Sequence, residues 1–238
     1  MSYLCLKNVH PSWQPLIETA LEQVDESYLT ELQRSDWLPG PSNIFNAFSL
    51  PLENTRYILF GESPYPRAQS ANGYAFWDAA VTDLWSKTGL SKPVNRATSL
   101  RNIMKALLIA NGNLSKADTS QPAIAQLDKS DMIVGINELF ANLLSKGFLL
   151  LNASPVFRSA KLVKADGKAW LRFIQALLEQ LRDEPIQLVL WGKIAQVIEK
   201  LPISQHFSSI VAEHPYNLSF VTNPKILNFL NPLNLLEK

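Results

Sequence analysis

The chain has one cysteine, Cys5, and only three histidines among its 238 residues. A lone thiol excludes an internal disulfide, and any iron–sulfur cluster or zinc site built on the cysteines of one chain. With His10, His206 and His214 as the only imidazoles, no structural metal site is expected. Long apolar runs are also missing: nowhere do about 18 uncharged hydrophobic residues follow one another. The opening stretch MSYLCLKNVHPSW lacks the basic, apolar and small-residue sections of a secretory signal. The expectation is a soluble, cytoplasmic chain with no membrane partner. Net charge is nearly absent too, at +1, so bulk electrostatics alone would not suggest nucleic acid.

What is present is enough apolar sequence, 47% of the residues, to bury one large core. At this length the expectation is a single domain over residues 1–238, with an N-terminal helical region at about 11–34. Charge is unevenly spread. Glu18, Glu22, Asp25, Glu26 and Glu31 make the first helical region acidic, whereas Arg158, Lys161, Lys164, Lys168 and Arg172 are interrupted only by Asp166. Such runs are often solvated faces, but a second group, Lys92, Arg96, Arg101 and Lys105, adds to the basic side.

Short apolar runs alternate with stretches of helical period, and no internal repeat interrupts them. Strands are predicted at Tyr57–Phe60, Phe148–Leu151, Gln187–Trp191 and Ser209–Ala212, because these runs are too short and too continuously apolar for amphipathic helices. Helices are predicted near Trp13–Leu32, Ser99–Ala110, Gly135–Leu144, Lys168–Leu181, Lys193–Lys200 and Pro224–Leu236. Thr98 or Ser99 is a candidate cap for the second of these, and Pro224 suits a first turn. Asp78–Thr98 and Asn111–Asp131 read as irregular excursions. The rhythm is that of an α/β protein, a three-layer α/β/α sandwich around a central, mainly parallel four-stranded sheet.

Each strand candidate runs into something distinctive. Phe60 is followed by Gly61-Glu62-Ser63-Pro64-Tyr65-Pro66, Leu151 by Asn152-Ala153-Ser154-Pro155, Trp191 by Gly192-Lys193, and Ala212 by Glu213-His214-Pro215-Tyr216-Asn217-Leu218-Ser219. In parallel strands these tails share one edge of the sheet, where α/β proteins bind ligands. An acid, an amide, a histidine and several aromatics make a polar pocket with stacking walls. Taken singly, each has an ordinary reading. Phe76, Trp77 and Leu218 suit a core or interface, Asn152 suits a turn, and His214 suits a partly buried surface position.

The succession GESPYPRAQSANGYAF, TSLRN, GFLLLN, LVLWG and HPYNLS resembles the uracil-DNA glycosylase superfamily in order and spacing, from about Tyr57 to Leu236. The resemblance implies that Phe76 stacks on an extruded uracil, Tyr65 fills the space of a thymine methyl, and Asn152 pairs with the uracil edge. It also implies that His214 hydrogen-bonds the departing pyrimidine oxygen, Leu218 is the wedge in the base stack, and Ser99 lies in a loop pinching phosphates. Pro64 belongs to the same DNA-contacting set, and Arg158 and Lys161, following Asn152, are placed to approach phosphates.

The departures matter as much. One branch reads G-Q-D-P-Y-H and has an aspartate where this chain has Ser63. That carboxylate orients water and balances the cationic sugar, and serine is a far weaker base. Another branch reads G-E-A-P-G and also lacks the aspartate, but typically carries a four-cysteine iron–sulfur cluster that Cys5 cannot build. Ala97 and Thr98 replace the prolines flanking the phosphate-loop serine, and Tyr216 replaces the serine of H-P-S-P. The chain thus resembles a divergent branch. The expected activity is a monomeric DNA glycosylase without metal or cofactor, with Glu62 and Ser63 holding water or the sugar. The alternatives are a glycosylase for another damaged base such as hypoxanthine, a catalytically impaired DNA-binding protein on the same fold, and a site for a small nucleotide.

Overall fold

The computed structural model describes residues 4–238. In chain order the elements are α1 (Gln14–Leu21), α2 (Glu26–Gln33), β1 (Tyr57–Gly61), β2 (Trp85–Ser86), β3 (Gly89–Leu90), α3 (Lys92–Arg96) and α4 (Thr98–Ala110). There follow α5 (Gln121–Ala125), α6 (Ile136–Ser145), β4 (Phe148–Asn152), α7 (Val163–Gln180), β5 (Gln187–Trp191), α8 (Lys193–Ile198), β6 (Ser208–Ala212) and α9 (Pro224–Leu230).

The four predicted strands form one sheet in the order β4-β1-β5-β6, the central sheet of an α/β fold. β1 pairs in parallel with both β4 and β5, and its register sets Gly61 opposite Asn152. All of β4, and all but the first residue of β1 and of β5, are buried. Parallel strands covered on both faces, the edge strand β4 included, read as unbroken apolar runs, which is why their sequences were unambiguous. The edge strand β6 is only partly covered.

Packing divides the chain into two compact units, each assembled from separated stretches. One comprises Met1–Ala79, Gly147–Leu190 and Ile194–Ser209; the other comprises Ala80–Lys146, Trp191–Lys193 and Ile210–Lys238. Within the first, α1 lies along α7, and edge-on ring contacts run from Trp13 to Phe48 and from Trp170 to Phe173. Within the second, α4 packs against α9 and against the 3-10 segment Leu218–Thr222.

Several elements differ from expectation. The helix predicted over Trp13–Leu32 is two helices, because Asp25 accepts the backbone N–H groups of Ser27 and Tyr28 and starts α2 anew. Neither Thr98 nor Ser99 caps α4: Ala97 holds that position and supplies no side-chain bond. α7 begins at Val163 rather than Lys168. The two irregular stretches contain the β2–β3 hairpin, α3 and α5.

The expected phosphate contact of Arg158 is also corrected. Its side chain is only 5% exposed, with Nε and Nη2 at 2.8 and 2.7 Å from Asp166 Oδ1 and Nη1 on Glu31 of α2. Tyr28 donates its hydroxyl to the same Asp166 oxygen at 2.9 Å, and Trp170 Nε1 donates to the Tyr28 hydroxyl at 3.1 Å. Burial, then the Asp166 charge, pushes the Tyr28 phenol well above its ordinary value, so it stays a donor. This cation is spent inside the protein. It ties α2 to the segment that follows Asn152.

Candidate active site

In the first unit the carboxyl ends of β1 and β4 lie side by side, and the pairing continues beyond them. Ala153 N–H donates to Gly61 O at 2.8 Å and Ser154 N–H to Glu62 O at 3.0 Å. The Glu62-Ser63 backbone is therefore fixed by β4, not left as a free loop. Asn152 is only 3% exposed, and no hydrogen bond to its carboxamide forms among the described residues. Gly61 makes room for it: a Cβ there would stand 2.5 Å from Asn152 Oδ1 and 2.9 Å from the Ala75 Cβ.

Phe76 joins the same cluster through its neighbours. Ala75 N–H bonds Leu150 O of β4 at 2.9 Å, and the Tyr65 hydroxyl donates to Phe76 O at 3.3 Å. Phe76 itself has φ 63, a left-handed conformation that costs a non-glycine residue about 1–3 kcal/mol. Strain of this kind persists only where surrounding bonds over-determine it, and here the bonds of Ala75 N–H and Phe76 O hold the backbone on both sides. Burial, then the carboxylate of Asp78, pushes the Tyr65 phenol up to about 12, so it is neutral in water near pH 7. Asp78 is buried and paired with Arg67 at 2.8 Å, closing the 65–78 loop.

Of the other predicted residues in this unit, Ser63 is half-buried and Glu62 exposed. Pro64 is buried and shapes the turn, so its expected place among DNA-contacting residues is corrected. Lys161 is exposed.

The second unit holds His214. Its Nδ1 accepts the Tyr216 backbone N–H at 3.0 Å, so in the neutral ring the proton resides on Nε2, which becomes a donor. Gly192, at φ 83, allows this placement: a Cβ there would lie 2.6 Å from the His214 Cβ. The following turn is pinned from α4. Asn102, fully buried, donates Nδ2 to Pro215 O at 2.7 Å and to Tyr216 O at 3.3 Å. Glu213 accepts Asn223 Nδ2 at 2.6 Å. Burial would raise its carboxyl, but hydrogen bonds from Ser219, from its own backbone and from Asn223 outweigh that and hold it below its usual range. Leu218 stands 74% exposed, and Ser99 is half-buried in the first turn of α4.

Sequence reasoning missed Asn102, Gly192 and the Arg67–Asp78 pair. Asn102 lay within the quoted TSLRN stretch, and Gly192 ended LVLWG, so both had a signal. Their partners, 113 and 22 residues away along the chain, did not show.

No family model matches the chain. Among curated proteins, the uracil-DNA glycosylases of Corynebacterium efficiens and Amoebophilus asiaticus are 26% and 27% identical to it. These likenesses cover 89% and 87% of this chain, and 78% and 84% of theirs. Among solved structures, mimivirus uracil-DNA glycosylase shares the fold at a TM-score of 0.58 and 19% identity, over 90% of this chain and 72% of its own. The wild-type UNG of Nitratifractor salsuginis superposes at a TM-score of 0.94 with 40% identity, over 98% of this chain and 94% of that one. Likeness at that level along both chains goes beyond shared architecture, and this chain belongs to the uracil-DNA glycosylase family.

Proposed function

We propose that this protein is a DNA repair glycosylase that hydrolyses the bond between uracil and deoxyribose. The observation that carries this reading is the buried, uncommitted carboxamide of Asn152 at the end of β4. A side-chain amide donates and accepts at once, which matches the O4 and N3–H edge of uracil. Reaching that edge requires the base to leave the helix, and Leu218 is the residue that would fill the space it vacates. Phe76 would stack on the extruded ring. Tyr65, tied to the Phe76 carbonyl, would stand where a thymine methyl would otherwise fit.

In the reaction the C1′–N1 bond breaks with its electron pair passing to uracil, a water oxygen bonds C1′, and the proton that water gives up passes to solvent, from which the released uracil anion is protonated. Negative charge gathers on the uracil O2 and positive charge on the sugar. Donors aimed at the growing anion give the largest saving, and His214 Nε2–H is the donor proposed for that task. Ser63 would align the water by accepting its hydrogen bond. Without a carboxylate at that position, chemistry is expected to run about 10²–10⁴ below that of a comparable site with a general base. Ser99, beside the uncapped first-turn amides of α4, and Lys161 would hold phosphates.

The direct test is incision of uracil-containing oligonucleotides after alkali, using U:G, U:A and single-stranded substrates at enzyme excess. Release of uracil is expected; none from any of the three overturns the proposal. Ser63 favours a second reading, a DNA-binding protein that has lost its chemistry. Tight binding of duplex carrying an uncleavable uracil analogue, without release from true uracil, would select it. Release of hypoxanthine instead would keep the chemistry and change the base.

Gly192→Ala probes the geometry without touching a reacting group. Its methyl must displace His214 or the turn itself. A displacement near 1 Å is expected to lower the single-turnover rate up to about 10²-fold with little change in DNA affinity. An unchanged rate would show that the close approach is not required.

A further inference from the structure

Among the described residues, Tyr216 and Leu218 have the most exposed large apolar side chains, at 67% and 74%. Leu218 has a role as the wedge. Tyr216, two residues before it, has none. Its ring is open to solvent although its backbone is among the best-secured in the second unit. Tyr216 N–H is on His214 Nδ1, its carbonyl is on the buried Asn102, and the turn closes with Asn217 N–H on His214 O at 2.9 Å. Pro215 and Phe220 are buried on either side, and Phe220 meets the Trp191 ring edge-on at 5.0 Å. A rigid base under an exposed aromatic loses little conformational entropy when the ring is covered.

The stretch of chain that carries Tyr216 is poor in acids, as suits a polyanion. From Leu201 to Leu236 the only carboxylate is Glu213, and it is turned toward Asn223. Exposed Lys193 adjoins the glycine that abuts His214, and exposed Lys225 lies two residues beyond Asn223. An exposed flat ring on a fixed turn, two residues from an aliphatic wedge and in a stretch of chain poor in acids, suits stacking on a base of an opened strand.

We propose that Tyr216 is a second base-contacting prong, stacking its ring on a nucleobase next to the extruded one while Leu218 occupies the gap. This rests on the glycosylase reading. It adds a specificity consequence: affinity should depend on the base flanking uracil, strongest for a purine.

The test measures dissociation constants of wild type, Tyr216→Ala, Tyr216→Phe and Tyr216→Trp for duplex carrying an uncleavable uracil analogue flanked by 2-aminopurine, at several salt concentrations. Tyr216→Ala is expected to weaken binding roughly 5- to 150-fold, the usual worth of one base–aromatic stack. Tyr216→Phe and Tyr216→Trp should retain affinity, the salt slope should not change, and the 2-aminopurine emission change on binding should be lost only in Tyr216→Ala. If Tyr216→Phe weakens binding as much as Tyr216→Ala while the 2-aminopurine emission change survives in both, the hydroxyl and not the ring makes the contact, and stacking is overturned. If Tyr216→Ala binds like wild type while wild type releases uracil, this inference alone fails. If wild type neither binds nor cleaves uracil-containing DNA, both fall.

Discussion

Replacing His214 by alanine is expected to slow uracil release by about 10²–10³-fold, equivalent to about 2.7–4 kcal/mol of barrier, the usual cost of one donor at a developing oxyanion. The expectation follows from the bond that His214 accepts. With Nδ1 engaged by the Tyr216 N–H, the neutral ring offers Nε2–H without proton transfer, and the donor is already oriented before charge develops. The loss should therefore fall on the single-turnover rate at saturating enzyme, with binding of an uncleavable analogue changed by less than about threefold. His214→Asn offers an amide donor on a shorter arm and should recover little. A rate within about threefold of wild type for His214→Ala would remove this residue from the mechanism.

Asn152→Ala should be as damaging, for a different reason. Two hydrogen bonds to the uracil edge, each worth about 1–3 kcal/mol when one partner is removed from a dry site, put the loss in kcat/KM at roughly 10²–10⁴-fold. Asn152→Asp is the sharper variant. An ionised carboxylate only accepts, so it keeps the N3–H bond but faces the O4 lone pairs with its own. Its uracil activity should be lost at neutral pH and partly return toward acid, as the protonated acid regains a donor. Steady-state rates from about pH 5 to 8 on a uracil substrate test this. Equal activity of Asn152→Asp and wild type throughout would mean that the amide does not read the base.

Much of the frame was legible in the sequence because the strands of a covered parallel sheet must be apolar on both faces. β1, β4 and β5 met that condition, and their carboxyl ends lay within a residue of the predicted positions. What escaped came from interactions between distant parts of the chain. The apolar period runs through Leu21, Val24, Leu29 and Leu32, all buried, so periodicity carried on across the break that the Asp25 cap creates. Arg158 looked like one more surface cation in a basic run, and its partner Glu31 lies 127 residues away. The site was partly legible for the same reason as the sheet: Asn152 and His214 follow strands directly. The residues that hold them matter through distant neighbours that no local pattern encodes: Gly61 by leaving out a Cβ that would crowd Asn152, and Asn102 by its 2.7 Å bond to Pro215 O.

The Arg158–Asp166 pair has a consequence for how this protein could change by descent. Arg158 and Asp166 balance each other's charge, but Glu31 and Tyr28 supply further hydrogen-bond partners to the pair, so the N-terminal helices are not an accessory that a lineage could exchange or discard. Their loss would leave this buried pair short of two of its hydrogen-bond partners, in the stretch of chain that follows Asn152. Insertions and replacements should collect elsewhere, and variation at positions 28, 31, 158 and 166 should be inherited together.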